Sequence, residues 1–255
     1  MLSIRRKVLD GYLMTGTFLN LGSALTAEIA GKAGFDWLLI DLEHGSGDFS
    51  ELVHQLQAAG CTPAAPIVRI AWNEAPRFKR ALDLGPSGIM VPYVNTADQA
   101  RQAVEAMRYP PKGIRGVASL NRACGFGKSF EQYFATANDQ LLTVVQIETR
   151  QAVEQVEAIA AVDGVDVLFV GPTDLSVSLG FARQFAHPEF RKALTKVVAA
   201  CRNNGKAPGI LLSDPEQVEP LLTEGFTFVG LGSDGGVVSA GMQKLAKIFD
   251  KYRKS

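Results

Sequence analysis

Two carboxylates of the sequence each close an apolar run. Residues 141–147, LLTVVQI, stop at Glu148, and residues 165–170, VDVLFV, pass through Gly171, Pro172 and Thr173 to Asp174. The segment between them, 151–161, has helical period. A strand, a crossover helix and a second strand parallel to the first account for all three, because parallel strands are covered on both faces and need a helical connection. Both acids then emerge at one carboxyl edge of the sheet, where α/β folds gather their chemistry. Two acids meeting in a pocket make a site for a hard divalent cation. Mg²⁺ and Mn²⁺ take oxygen ligands and keep positions filled by water or substrate. The competing reading makes Glu148 and Asp174 caps of the helix and turn that follow them. Spacing alone leaves both readings open.

The elements that must position these acids recur along the chain. Apolar runs at 15–20, 36–42, 65–71, 88–94, 208–212 and 226–231 read as further strands. Helix-period segments at 24–33, 48–59, 74–84, 96–108, 129–138, 188–203, 214–223 and 237–253 separate or follow them. Eight strand–helix units with no linker or composition shift predict one (β/α)8 TIM barrel over residues 1–255. A doubly wound sheet is the competing fold, and the chain lacks the early Gly-x-Gly-x-x-Gly that would favour it.

On that frame His44, Arg69, Gln146, Glu148, Asp174 and the 232–236 turn all fall at or just beyond carboxyl ends of strands. Taken singly, each has an ordinary reading: a capping histidine, a structural ion pair, a glycine-rich loop. Their coincidence on one edge marks a site. After Pro111 the apolar period breaks over 113–128, and an excursion that long inside a compact domain is usually functional.

Composition narrows the function class. With 47% apolar residues the chain can bury a large core, and its net charge of zero points away from nucleic acid or an anionic membrane as partner. No run approaches the roughly 20 residues of a membrane span, and no amino-terminal segment has signal-peptide character. Cys61, Cys124 and Cys201 are widely spaced and form no Cys-x-x-Cys. That pattern fits packing thiols in a reducing compartment, so a cytoplasmic protein is expected.

The segments FDWLLIDLEHG, PIVRIAWNEAPRFKRALDLG, GIMVPYVNTADQAR, RYPPKGIRGVA, VVQIETRQAVEQVEAIAAVDGVDVLFVGPTDLSVSLG and KAPGILL resemble the HpcH/HpaI aldolase family, the metal-dependent class II pyruvate aldolases. The likeness runs from about Gly16 to Ala240. It implies a barrel that assembles as a homohexamer, a trimer of dimers, with the last helix exchanged between subunits. It also implies reversible aldol cleavage of a 4-hydroxy-2-oxo acid to pyruvate, or hydroxypyruvate, and an aldehyde. By the same resemblance Glu148 and Asp174 ligate Mg²⁺ or Mn²⁺, with Co²⁺ or Zn²⁺ as substitutes. Arg69 serves the 2-oxo acid, and His44, with Asp83 as its partner, serves proton transfer. Gln146, Gly171, Pro172 and Thr173 line the pyruvate site, while Asp41, Leu211 and Leu212 lie near the aldehyde.

The chain also departs from the family. Asn20 places a polar amide at the pocket rim, and the 113–128 loop is a candidate cover for a neighbouring subunit's site, with Arg122 expected to face solvent. A succinic semialdehyde acceptor needs a distal cation; a sugar-acid or glyceraldehyde-type acceptor needs hydroxyl partners such as Asn20 or Ser213. Two readings of other classes stand beside the aldolase: an acyl-CoA or citrate-lyase-like carbon–carbon lyase on the same metal site, and a non-catalytic 2-oxo acid binding barrel. A Schiff-base mechanism needs a lysine at a strand's carboxyl end, and Lys79, Lys112, Lys128 and Lys206 fall in helices, in the loop or before a strand.

Overall fold

The computed structural model describes residues 3–253. Eight parallel strands close into a barrel in sequence order: β1 (Met14–Leu19), β2 (Trp37–Asp41), β3 (Ala65–Arg69), β4 (Gly88–Val91), β5 (Leu142–Ile147), β6 (Val167–Val170), β7 (Ala207–Leu212) and β8 (Phe228–Ser233). Helices α1 (Ile4–Leu9), α2 (Ala24–Lys32), α3 (Phe49–Ala59), α4 (Ala75–Leu82), α5 (Ala97–Met107), α6 (Phe130–Gln140), α7 (Arg150–Glu154), α8 (Val156–Ala160), α9 (Pro172–Ser178), α10 (Pro188–Asn203), α11 (Val218–Glu224) and α12 (Asp234–Lys247) connect or flank them. This is the (β/α)8 architecture that the strand count predicts.

Strand alternation divides the chain into two cores. Side chains of one parity, among them Phe18, Trp37, Leu39, Ile67, Val144, Val167, Phe169 and Phe228, fill the barrel interior. Those of the other parity, including Leu38, Ile40, Val68, Val145, Leu168 and Val170, pack outward against the helices. Trp37 is the largest interior side chain: it stacks on Phe228 with ring centroids 4.5 Å apart and donates its indole N–H to the Met14 carbonyl at 3.3 Å. It fits because residue 16 is glycine, where a Cβ would lie 2.0 Å from the Trp37 ring. Residue parity then dictates the site. Asp41, Arg69, Gln146 and Glu148 continue the inward series 37–39–41, 67–69 and 142–144–146–148 beyond the apolar layers.

Several elements differ from the sequence expectation for local reasons. The 151–161 helix is broken at Gln155 into α7 and α8. Helix α9, read from the sequence only as a turn, starts on Gly171-Pro172, the proline holding the first helical position that suits its fixed φ. Helix α12 begins at Asp234 rather than 237, because the Ser233 hydroxyl accepts the Gly236 N–H at 3.1 Å and caps it. Helix α1, where no element is expected, buries Ile4 and Val8 among the interior side chains and so closes the amino end of the barrel. Within one chain α12 buries none of its residues, and across from it α2 leaves Leu25 and Ile29 72% and 68% exposed.

The 113–128 excursion runs along the amino side of the barrel and ends in a 3-10 turn at Arg122–Gly127. Arg122 does not face solvent as expected. Its guanidinium donates to the carbonyls of Leu84 and Leu56, which end α4 and α3. Carbonyls in the last turn of α3 and just past the end of α4, together with the negative ends of the helix dipoles, attract a cation.

Candidate active site at the carboxyl end of the barrel

Strands β2 and β3 pair with Asp41 directly opposite Arg69. Arg69 Nε donates to Asp41 Oδ1 at 2.9 Å and Nη2 to Oδ2 at 2.6 Å, a fork-to-fork pair that only a guanidinium makes. Its third nitrogen, Nη1, lies 2.8 Å from Glu43 Oε2 and donates to Gln146 Oε1 at 3.4 Å. Gln146 passes the line on, its Nε2 donating to Glu148 Oε2 at 2.9 Å, and the Tyr93 backbone N–H reaches the other oxygen, Oε1, at 2.7 Å. A continuous polar chain thus crosses the barrel mouth from β2 to β5. Asp174, in the first turn of α9, stands beside it.

Asp41 is the hub of this chain. Beyond Arg69, its Oδ1 accepts the backbone N–H groups of Glu43 and His44 at 3.0 and 3.2 Å, so it shapes the turn that carries His44. Both its oxygens are committed, so it positions its neighbours, although it also lines the cavity where the aldehyde was expected. The His44 ring itself is exposed, with Nε2 4.0 Å from Glu43 Oε2.

Electrostatically the mouth holds more acid than base. Burial pushes the Asp41 carboxyl up, but the hydrogen bonds and charge of Arg69, with two backbone N–H groups, outweigh it and leave Asp41 below its ordinary value. Glu43 goes the other way: burial raises it, with the charges of Asp41 and Asp174 adding and Arg69 opposing. Glu148 is pushed up to about 7, first by burial, with the Tyr93 N–H opposing and Glu43 and Asp174 adding. The buried Glu43 Oε2 is paired by charge with Arg69 Nη1 and, among the described residues, has no aligned hydrogen-bond donor. Space is kept open in front of Glu148, since a Cβ on Gly171 would lie 2.6 Å from its Oε2. Excess carboxylate and a glycine-lined opening fit a divalent cation with oxygen ligands. Among the described residues no three His, Cys, Asp or Glu side chains form a ready cluster, so the protein would offer Glu148 and Asp174 and leave the remaining positions to water and substrate.

With Glu148 behind Gln146 and Gly171, the residues Asp41, His44, Arg69, Gln146 and Asp174 line a cavity of about 690 Å³ over the barrel. Phe18 and Phe169 floor it, with ring centroids 6.1 Å apart and the Arg69 guanidinium carbon 5.4 Å from the Phe18 centroid. Gly171, Pro172 and Thr173 form the β6 side. Leu211, of inward parity, and the edge of Leu212, which packs mainly into the outer core, form the β7 side. An adjoining cavity of about 570 Å³ between α10 and β7 contains none of Asp41, Arg69, Gln146 or Asp174, so the chemistry belongs to the barrel mouth.

One predicted pairing is not made within the chain. Asp83 sits at the C-cap of α4, a helix that runs back to the amino end of the barrel, where it binds Arg115 at 3.1 Å and its carbonyl accepts the Ala123 N–H. His44 lies at the opposite end. Two residues of the site escape sequence analysis. Glu43 was legible only as the residue before His44. Tyr93 contributes its backbone from a positive φ of 51°, a conformation that non-glycine residues adopt mainly where the surroundings require it.

The sequence model of the HpcH/HpaI aldolase/citrate lyase family matches residues 14–240. A 2-dehydro-3,6-dideoxy-6-sulfogluconate aldolase of Pseudomonas putida is 47% identical over 219 residues, 86% of each chain. A 4-hydroxy-2-oxo-heptane-1,7-dioate aldolase of Escherichia coli is 40% identical over 247 residues, 97% of this chain and 94% of that one. The crystal structure of an HpcH/HpaI aldolase/citrate lyase family protein from Burkholderia cenocepacia superposes with a TM-score of 0.91 at 37% identity, covering 96% of this chain and 98% of the other.

Proposed function

Because the chain belongs to the HpcH/HpaI aldolase/citrate lyase family, we propose that it is a carbon–carbon lyase that reversibly cleaves a 4-hydroxy-2-oxo acid to pyruvate, or hydroxypyruvate, and an aldehyde. The observation that carries this reading is the Asp41–Arg69–Gln146–Glu148 chain, whose first three members line one cavity together with Asp174.

Glu148 and Asp174 hold the divalent cation, Mg²⁺ or Mn²⁺. When bound, the cation supplies Lewis-acid stabilisation of the negative charge that grows on the 2-oxo oxygen as the C3–C4 bond breaks. Arg69 binds the 2-oxo acid: Asp41 holds its plane rigid, and its charge stands at the cavity floor. Gln146 keeps Glu148 and Arg69 in fixed relation, and the Gly171–Thr173 backbone walls the small 2-oxo acid in. His44, on the turn that Asp41 organises, takes the proton of the C4 hydroxyl in cleavage and returns it in addition. If Asp83 orients that imidazole, it does so from another copy of the chain, since within one chain the two lie at opposite ends of the barrel.

The assembly proposed is a homohexamer built as a trimer of dimers. An α12 without buried residues beside an α2 with exposed Leu25 and Ile29 suits exchange of the last helix between partners. No helix among the described residues is long and apolar enough to cross a membrane, and the reading places the enzyme in the cytoplasm.

Metal-stripped protein assayed for pyruvate release from a 4-hydroxy-2-oxo acid, then re-supplied with Mn²⁺ or Mg²⁺, tests the proposal. A metal-dependent aldolase loses and regains turnover. A Schiff-base enzyme ignores chelation and is trapped with pyruvate by borohydride, and a binding barrel turns over in neither state.

A further inference from the structure

Resting on the aldolase reading above, we propose that Asn20 selects the aldehyde: its side-chain N–H group recognises an oxygen substituent, making short, uncharged hydroxyaldehydes the acceptor class. Asn20 follows β1 in the inward parity of Gly16 and Phe18, at the β1–β8 side of the cavity. In a closed eight-stranded barrel this side lies across the mouth from Glu148 and Asp174 on β5 and β6. A substrate whose 2-oxo acid end sits on the acids and Arg69 therefore directs its other end toward Asn20.

Three hydrogen bonds hold Asn20 in place. Its backbone N–H donates to Asp234 Oδ1 at 2.8 Å, its carbonyl accepts the Ser46 N–H at 2.9 Å, and its side-chain Oδ1 accepts the Gly235 N–H at 3.2 Å. The last contact orients the amide: the Gly235 N–H is shared between Asn20 Oδ1 and the nearer Asp234 Oδ1 at 2.8 Å, and turning the amide over would set its NH₂ donor against that same N–H. Residue 235 must be small for this, since a Cβ there would lie 2.4 Å from Asn20 Oδ1. What remains is the NH₂ group, a donor with no partner among the described residues, on the cavity wall.

Charge narrows the ligand further. Directly behind Asn20, the Asp234 carboxylate accepts from Asn20, from Gly235 and, at 2.6 Å, from the Thr26 hydroxyl. Among the described residues lining the cavity the basic side chains are Arg69 and His44, and in the reading above both are taken, Arg69 by the 2-oxo acid end and His44 by proton transfer. Within one chain an anionic aldehyde tail would meet the Asp234 carboxylate and no unassigned cation. A neutral hydroxyl meets a free donor.

The test compares isosteric aldehyde pairs in pyruvate addition: glycolaldehyde against propanal, and methoxyacetaldehyde against butanal. The readout is the ratio of kcat/KM within each pair, relative to the parental protein, so that intrinsic aldehyde reactivity cancels. The parental enzyme prefers the oxygenated member of each pair. Asn20→Leu lowers both ratios by about three- to tenfold, the worth of one neutral hydrogen bond. Asn20→Asp keeps the acceptor for Gly235 but has no N–H. It therefore loses the preference for methoxyacetaldehyde, whose oxygen only accepts, and keeps that for glycolaldehyde, whose hydroxyl can donate instead. Should Asn20→Leu fail to fold, Asn20→Asp carries the test alone. A purely structural role lowers both members of a pair together, and unchanged ratios would overturn the proposal. A parental protein that adds pyruvate to none of the four aldehydes would instead sink the aldolase reading itself.

Discussion

Asp41 and Arg69 stand opposite each other on adjacent strands and are joined through both carboxylate oxygens, while the same Asp41 receives the backbone N–H groups that carry Glu43 and His44. One carboxylate therefore ties the guanidinium proposed to bind substrate to the turn proposed to transfer the proton. Breaking such a buried pair from one side leaves a charge uncompensated, at a cost of roughly 3–5 kcal/mol. Asp41→Asn is expected to lower stability by that order in chemical denaturation and to depress kcat/KM. Arg69→Lys retains charge but not the fork, and kcat/KM is expected to fall about 10²-fold or more, as for loss of a preorganised donor. Steady-state pyruvate release measures both; a fully active Arg69→Lys enzyme contradicts the assignment.

Glu148 offers a pH signature. Its folded pKa of about 7 lies above the ordinary 4.5 because burial disfavours the charged form. For a group raised in this way, the folded state binds more protons than the unfolded one between the two values. Stability is then full below 4.5 and declines as pH rises through 7. The decline amounts to about 3 kcal/mol at ~1.4 kcal/mol per pH unit. Metal-free Glu148→Gln lacks it, so thermal melts of parent and variant at pH 5 and pH 8 should diverge at the higher pH.

The two proposed ligands can be tested without turnover. Glu148→Gln and Asp174→Asn each remove one of two protein oxygens and should weaken Mn²⁺ binding at least about tenfold, the lower end of losses seen even for indirect support of a metal site. Electron paramagnetic resonance of free Mn²⁺ measures it. Parental affinity in both variants would move the metal elsewhere.

Gly16 tests the interior packing. A methyl at this position meets the Trp37 ring at 2.0 Å, and Trp37 is locked against Phe228 and the Met14 carbonyl. Gly16→Ala should cost about 3 kcal/mol or more, at the upper end for overpacking. Combining it with Trp37→Phe should recover part of the loss in circular dichroism melts.

Helix α12 carries exposed Met242, Leu245 and Ile248, and the exchange reading buries them in a partner. Leu245→Asp together with Ile248→Asp should shift the assembly to smaller species in light scattering. An unchanged mass would remove α12 from the interface.

The sequence by itself determined the architecture and the parity of the site. The apolar runs and their helix-period spacers fix eight parallel units, and a period of two places Arg69, Gln146 and Glu148 on the inner face at strand ends. It also carried the family likeness in motifs long enough to mark Glu148 and Asp174. Tertiary structure decided what those residues touch. The commitment of Asp41 to Arg69, the placement of Glu43, the Tyr93 backbone donor and the separation of Asp83 from His44 depend on strand register and on which barrel end each helix reaches. The capping of two helices by Arg122 follows from the approach of segments far apart in the chain. The physical reason is that side-chain periodicity is a local property of the backbone, whereas a hydrogen-bond partner or a pKa is set by whatever neighbours folding brings to within a few ångströms.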